Sequence, residues 1–317
     1  MKNKYLFLFS LLVMVFAGCS KESTKQSQTE PEEFYLQNVP QTRSVLYVDS
    51  FRTNVLGNIF KEDSLLNFCR VHEFTAINLY TIGPILRSDI TVKAQLNDFV
   101  GKAHICGLKV NFAAVSSTGV NDIGTYCANY SNKPDGIITE YEFWNNDKQS
   151  GLPNSFDTFK TIVNAMTIVH NTYPSISRNA YVSIFKDKKD SNRTSSSIIQ
   201  YLINNCETIF LVNYYTNAYD LRPLFQTKLH DVTKEAKSLH KVANIIVLFN
   251  VHRDTTGPDL TPDIYNYFST QGHNHPFKHA YNNLMRQYEN VVDVNYDGLS
   301  MKGYAIFRYS DARAARP

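Results

Sequence analysis

The sequence predicts a single (β/α)8 barrel, and three observations predict it. From Ser44 onward, short β-branched and aromatic runs alternate with longer stretches of helical periodicity. Eight such units fit in about 270 residues, with each crossover long enough to return the chain for parallel pairing. No Gly-rich phosphate turn follows the first run, which argues against an open doubly wound sheet, the rival arrangement.

The elements follow in order. The expected strands are Val45–Asp49, Ala76–Ile82, Lys109–Val115, Gly136–Trp144, Ala180–Phe185, Ile209–Tyr214, Ile245–Asn250 and Tyr304–Tyr309, each a short run rich in Val, Ile, Phe or Tyr. Helical periodicity fills 62–73, 92–106, 155–172, 195–205, 221–242 and 262–289. The stretch 120–131 is a poorer helix in the same kind of slot. No internal repeat or second domain is visible, so 43–317 reads as one barrel domain. In such barrels, active sites lie at the carboxyl ends of the strands.

Composition narrows the function class. Of 317 residues, 43% are hydrophobic and 19% charged, which supports a packed core and excludes disorder over most of the length. The net charge of +3 comes with no dense basic block, so a nucleic-acid partner is not expected. There are 20 Tyr and 20 Phe against a single Trp, and the position of these rings at strand ends becomes informative below.

The N-terminus reads as an export signal over 1–18. Lys2 and Lys4 precede the apolar run Tyr5–Phe16, which is too short for the roughly 20 residues that span a bilayer. Ala17-Gly18-Cys19 resembles a bacterial lipobox, which implies lipidation at Cys19; an ordinary secretory signal is the alternative. Residues 19–42 are polar and nearly free of aliphatics, a flexible tether. The expected location is the bacterial envelope, at the outer membrane, on its periplasmic face or the cell surface. Membrane contact would be through the lipid alone, and the chain is expected to be a monomer. Cys69, Cys106, Cys127 and Cys206 remain. They read as buried free thiols, and none has zinc-loop spacing with another.

The fourth run carries the chemistry. In Asp135-Gly136-Ile137-Ile138-Thr139-Glu140-Tyr141-Glu142-Phe143-Trp144, alternation puts Ile138, Glu140, Glu142 and Trp144 on one face. Ile137, Thr139, Tyr141 and Phe143 share the other, suited to a helix layer. Two carboxylates about 6–7 Å apart at Cα repel, so one is expected to hold its proton near neutral pH. The bland alternative is that both carboxylates are satisfied by polar partners or solvated at the strand end. Tyr80, Tyr141, Trp144, Tyr214, Tyr215, Tyr219, Phe307 and Tyr309 also lie near strand ends. Aromatic faces there suit sugar rings, although core or interhelical packing is the better reading for any single one.

The segment D-G-I-I-T-E-Y-E at 135–142 resembles the D-G-I-D-I-D-W-E signature of family 18 glycoside hydrolases, the chitinases and endo-N-acetylglucosaminidases. Ala76–Tyr80, Gly107–Ser117, Val212–Tyr215 and Gly303–Phe307 are similar to that family's second, third, sixth and eighth strands. The resemblance implies action on glycans containing N-acetylglucosamine by substrate-assisted retaining hydrolysis, without a cofactor or metal. It implies that Glu142 is the general acid/base and that Glu140 and Tyr214 hold the acetamido group. Phe307 would be the aromatic floor, with Tyr80, Trp144 and Tyr215 as further substrate contacts.

The chain also departs from the signature. Ile138 replaces its inner Asp, and Glu140 is one methylene longer than its middle Asp. Tyr215 replaces the sixth-strand Asp, and Ser116-Ser117 replace Gly-Gly. These residues fit a divergent hydrolase and, equally, a non-catalytic surface glycan-binding lipoprotein using the same barrel mouth.

Other signals have plainer readings. His273, His275 and His279 read as surface histidines, and His252 lies just past the seventh run, where it could face the site. The stretch Lys186, Asp187, Lys188, Lys189, Asp190 and Arg193 reads as a solvated loop. No G-x-S-x-G elbow, Walker loop or dinucleotide fingerprint is present.

Overall fold

The computed structural model describes residues 43–145, 155–213, 224–251 and 298–315, together with Asn266, Ser269, Phe277, Lys278, Tyr281 and Asn282. Within it, eight parallel strands close on themselves in sequence order. They are β1 (Arg43–Val48), β2 (Ala76–Leu79), β3 (Lys109–Ala114), β4 (Gly136–Thr139), β5 (Ser177–Val182), β6 (Thr208–Asn213), β7 (Ala243–Asn250) and β8 (Leu299–Phe307). Closure is direct, with Val45 of β1 in register with Ala305 of β8. The (β/α)8 expectation holds.

Alternation sorts the apolar residues into two cores. Inward-facing Val45, Tyr47, Ile138, Tyr181, Phe210, Val212 and Leu248 pack inside the barrel. Outward-facing Leu46, Ile77, Phe112, Ile137, Leu211 and Phe249 join the helices in a much larger outer core. Those helices include α1 (Phe51–Asn54), α2 (Ile59–Val71), α3 (Gly83–Leu86), α4 (Ile90–Ile105), α5 (Ser117–Asn129), α6 (Phe156–Thr172) and α7 (Ser195–Asn205). Leu224–Leu229 forms a π-helical turn that runs into α8 (His230–Ser238), and α9 (Tyr309–Ala315) closes the chain. Five helix starts are fixed by the same device. The side chains of Asn58, Asp89, Ser116, Ser155 and Thr194 accept hydrogen bonds from the amides of Lys61, Val92, Gly119, Thr158 and Ser197. The Ser116 and Ser155 caps follow β3 and β4, so both lie on the face where those strands end.

Four expectations are corrected. β4 stops at Thr139 rather than Trp144, because its neighbour β3 ends at Ala114 and the chain there turns into the Ser116 cap. β5 and β8 begin three and five residues earlier than expected, since Ser177, Arg178 and Asn179, and likewise Ser300 and Lys302, are polar residues within strands. The helix expected over 221–242 is interrupted by the π-turn, and α1 and α3 were not anticipated. Most of 262–289 lies outside the described residues.

Free thiols are found at all four expected positions, but only Cys69 and Cys127 are buried; Cys106 is exposed and Cys206 half-buried. Cys19 and the tether lie outside the described residues.

Candidate active site

The site is built where β4 ends. Glu140 continues the strand for one more bond, its amide donating to the Ala114 carbonyl at 3.0 Å. The chain then turns, with the Phe143 and Asn145 amides donating to the carbonyls of Tyr141 and Glu142. Strand parity survives far enough to keep the expected faces. Tyr141 and Phe143 are buried in the outer core, and the Tyr141 hydroxyl accepts from the Ser155 amide at 3.0 Å. Glu140 falls on the inward face with Ile138.

The two carboxylates meet different environments. Glu140 is 6% exposed, and its Oε1 has no hydrogen-bond partner among the described residues. Burial first, and the Glu142 charge second, raise its carboxyl well above the ordinary value of 4.5. Glu142 is half-buried and held from both sides. The Tyr181 hydroxyl donates to its Oε1 at 3.2 Å, and Asn145 Nδ2 donates to its Oε2 at 3.0 Å. Of the two acids, Glu140 is the one whose surroundings favour the protonated form.

Aromatic rings frame the pair. Burial, then Glu140, then Glu142 push the Tyr80 hydroxyl up to about 12, which places this phenol within the field of both carboxyls. Tyr80 meets Phe307 edge to face at 6.1 Å, and Phe307 meets Tyr47 in the same manner at 5.7 Å. Phe307 ends β8 and is joined to Arg308 by a cis peptide. On the opposite side, Trp144 packs 5.7 Å from Tyr181 and 4.9 Å from Phe143.

A cavity of about 210 Å³ opens between Tyr80, Gly83, Ser116 and Glu140. Ser116 also borders a cavity of about 590 Å³ that reaches Ser155, Asp157 and Asp187. Together they form a groove of hydroxyls and carboxylates beside the aromatic mouth.

The structure thus brings together Glu140, Glu142, Tyr80, Trp144 and Phe307. Tyr214, Tyr215, Tyr219 and His252 lie outside the described residues, as do His273, His275 and His279. Tyr309 does not face the mouth; it packs on Phe68 at 5.4 Å in the outer core.

The loop 186–193 is not merely solvated. Asp187 is buried, Arg193 Nε lies 3.0 Å from its Oδ2, and the Lys188 amide donates to the Phe143 carbonyl. The Lys188 bond ties this loop to the turn that carries Glu142, and Arg193 ties it to α6 by bridging to Asp157.

Three contributors were missed. Tyr181 lies on β5 with inward parity but reads as an ordinary strand aromatic, and Asn145 carries no sequence signal. Lys228 reads as one lysine of a helix, yet its Nζ donates to the Val212 carbonyl at 2.9 Å, and burial brings its ammonium down to about 8.

No protein-family model matches the chain, and no curated protein sequence matches it. Solved structures do resemble it. One is a GH5_18 structure from Bifidobacterium longum subsp. longum in complex with Manb1-4GlcNAc, with 10% identity over 84% of this chain and 69% of that one and a TM-score of 0.50. A second is the catalytic domain of a family GH18 chitinase from the fern Peteris ryukyuensis, at 15% identity over 86% and 94%, TM-score 0.47. A third is a thermostable xylanase mutant from Cellvibrio japonicus, at 10% identity over 85% and 87%, TM-score 0.46. The barrel rests on the strand order itself, and at such identities the likeness leaves the chemistry to the site.

Proposed function

We propose that this chain is an exported lipoprotein, anchored through Cys19 to the bacterial envelope, whose barrel mouth acts on glycans containing N-acetylglucosamine by retaining, substrate-assisted hydrolysis. The observation that carries the reading is the carboxyl pair: a buried, neutral Glu140 beside a partly open Glu142 held by Tyr181 and Asn145, under Tyr80, Trp144 and Phe307. Flat rings stack on sugar faces, and the hydroxyl-lined groove past Ser116 suits a polyol.

In this reading the pair shares one proton. It rests on Glu140 in the free protein, the more buried of the two. As positive charge develops on the acetamido group beside Glu140, ionised Glu140 becomes the favoured form, and the proton crosses to Glu142. Glu142 then protonates the leaving oxygen, and the acetamido oxygen closes on the anomeric carbon. Tyr214 and Tyr215 would complete the acetamido pocket.

One observation favours a second reading, a glycan-binding protein without turnover. Both Glu142 oxygens already accept hydrogen bonds within the chain, from Tyr181 and Asn145, so a leaving oxygen would have to displace one of them to reach the carboxyl.

Both readings require the mouth to hold a glycan, and this is measured first. Calorimetric titration with chitooligosaccharides should show saturable binding, weakened about tenfold or more in Trp144→Ala through lost stacking area. No binding by the unaltered protein would remove both readings.

A further inference from the structure

The opposite end of the barrel carries a second built cavity. Barrel interiors of this type are ordinarily packed with branched apolar side chains. Here β2, β3 and β5 place Asn78, Asn111 and Asn179 in the lower interior, all buried. Asn111 Nδ2 donates to Asn78 Oδ1 at 2.7 Å, and Asn179 Nδ2 donates to Ser177 Oγ at 3.0 Å. Asn78 Nδ2, fully buried just above them, has no partner among the described residues. A buried amide donor left unmatched is costly unless something outside the chain meets it.

Gly136 makes room for this arrangement. A Cβ there would stand 2.5 Å from Asn111 Oδ1, 2.5 Å from Ser177 Oγ and 2.7 Å from Asn179 Nδ2. The polar side chains converge on the space that a side chain at position 136 would fill. Below them opens a cavity of about 210 Å³, lined among others by Asn111, Ser177, Asn179 and three cations, Arg43, Lys109 and Lys302.

The cations come from three different strands. Arg43 and Lys109 begin β1 and β3, and each shares inward parity with Val45 or Asn111. Lys302 arrives by a bulge, because the β7–β8 register passes from Met301 directly to Gly303 between Ile245 and Ile246. Gly303 adopts φ +133°, and a Cβ on it would collide with the Arg43 carbonyl, so glycine is required where the bulge crosses β1. A bulge is a device for re-aiming a side chain, and this one turns a lysine to the cavity.

The two carboxylates that line the same cavity already have partners of their own. Asp135 Oδ2 is 2.9 Å from His104 Nε2 and accepts from the Val110 amide, while Glu207 Oε1 is 3.3 Å from Arg178 Nε and 3.7 Å from His170 Nδ1. Among the described residues, Arg43, Lys109 and Lys302 make no ion pair.

We propose that this cavity at the amino-terminal end of the barrel binds a small tetrahedral oxyanion, phosphate or sulfate, between Arg43, Lys109, Lys302 and the asparagine amides. Three cations, with the side-chain amides of Asn111 and Asn179 in the same lining, match a ligand that only accepts hydrogen bonds. The site is at the far end of the strands from Glu140 and Glu142, so occupancy stabilises the barrel by mass action without competing for the mouth.

The test is calorimetric titration of the full chain with sodium phosphate and, separately, sodium sulfate, at ionic strength held constant with sodium chloride. Saturable one-to-one binding is expected in at least one arm, and the arms distinguish the two anions. In Lys109→Gln/Lys302→Gln the affinity should fall by about tenfold or more for each charge removed. Either single variant gives the same reading should the double variant fail to fold. The absence of saturable heat with both anions overturns the proposal, and so does binding that both lysine variants retain unchanged.

Discussion

Glu140 is the residue on which the site turns. Its carboxyl is enclosed, lacks a partner at Oε1 and faces the Glu142 charge, so the native state holds its proton where the unfolded chain releases it. The sign follows from proton counting. Between about 4.5 and the raised native value the folded protein binds more protons than the unfolded one, and stability is lost as pH rises through that window. Glu140→Gln removes the titration while keeping a neutral side chain of the same shape. The variant should melt higher than the unaltered protein near pH 8, by about 2 °C or more, and the gap should shrink near pH 5. A gap that is the same at both pH values contradicts a neutral Glu140. That one of two neighbouring acids keeps its proton was legible from the alternation of 138–144. Which one was not, because Tyr181 and Asn145, the donors on Glu142, come from another strand and from the turn after it.

At the scale of the elements, apolar runs were legible and polar stretches of strand were not. β2, β3, β6 and β7 begin within two residues of expectation, because their runs of Ile, Leu, Val and Phe face the outer core. β5 and β8 begin in polar residues that read as loop, for Ser177 and Asn179 face the barrel's polar lower end and Lys302 sits in a bulge. The end of β4 at Thr139 is set by its neighbour and has no local signal.

The same polar end makes Gly136 a critical position. Gly136→Ala must displace Asn111, Ser177 and Asn179 together, and should destabilise the barrel by about 1–3 kcal/mol. Chemical denaturation reads this as a lowered midpoint with an unchanged slope; an unchanged midpoint would mean that the three side chains move aside freely.

For the whole molecule, eight strand–helix units in one chain were enough to specify a closed barrel, and the structure closes as β1 through β8 in order. Function was less legible, since one barrel fold serves many chemistries and its specificity resides in the loops at the strand ends. In the segment 135–142, Ile138 is buried in the apolar interior of the barrel, and burial beside Glu142 raises the Glu140 carboxyl.

The most direct measurement is incubation of the protein with chitooligosaccharides and a high-mannose glycopeptide, read by mass spectrometry beside Glu142→Gln. The proposed hydrolysis predicts cleavage by the unaltered protein and a loss of at least about 10²-fold in the variant, which still binds glycan. Cleavage that persists in Glu142→Gln, or none by the unaltered protein, would contradict it.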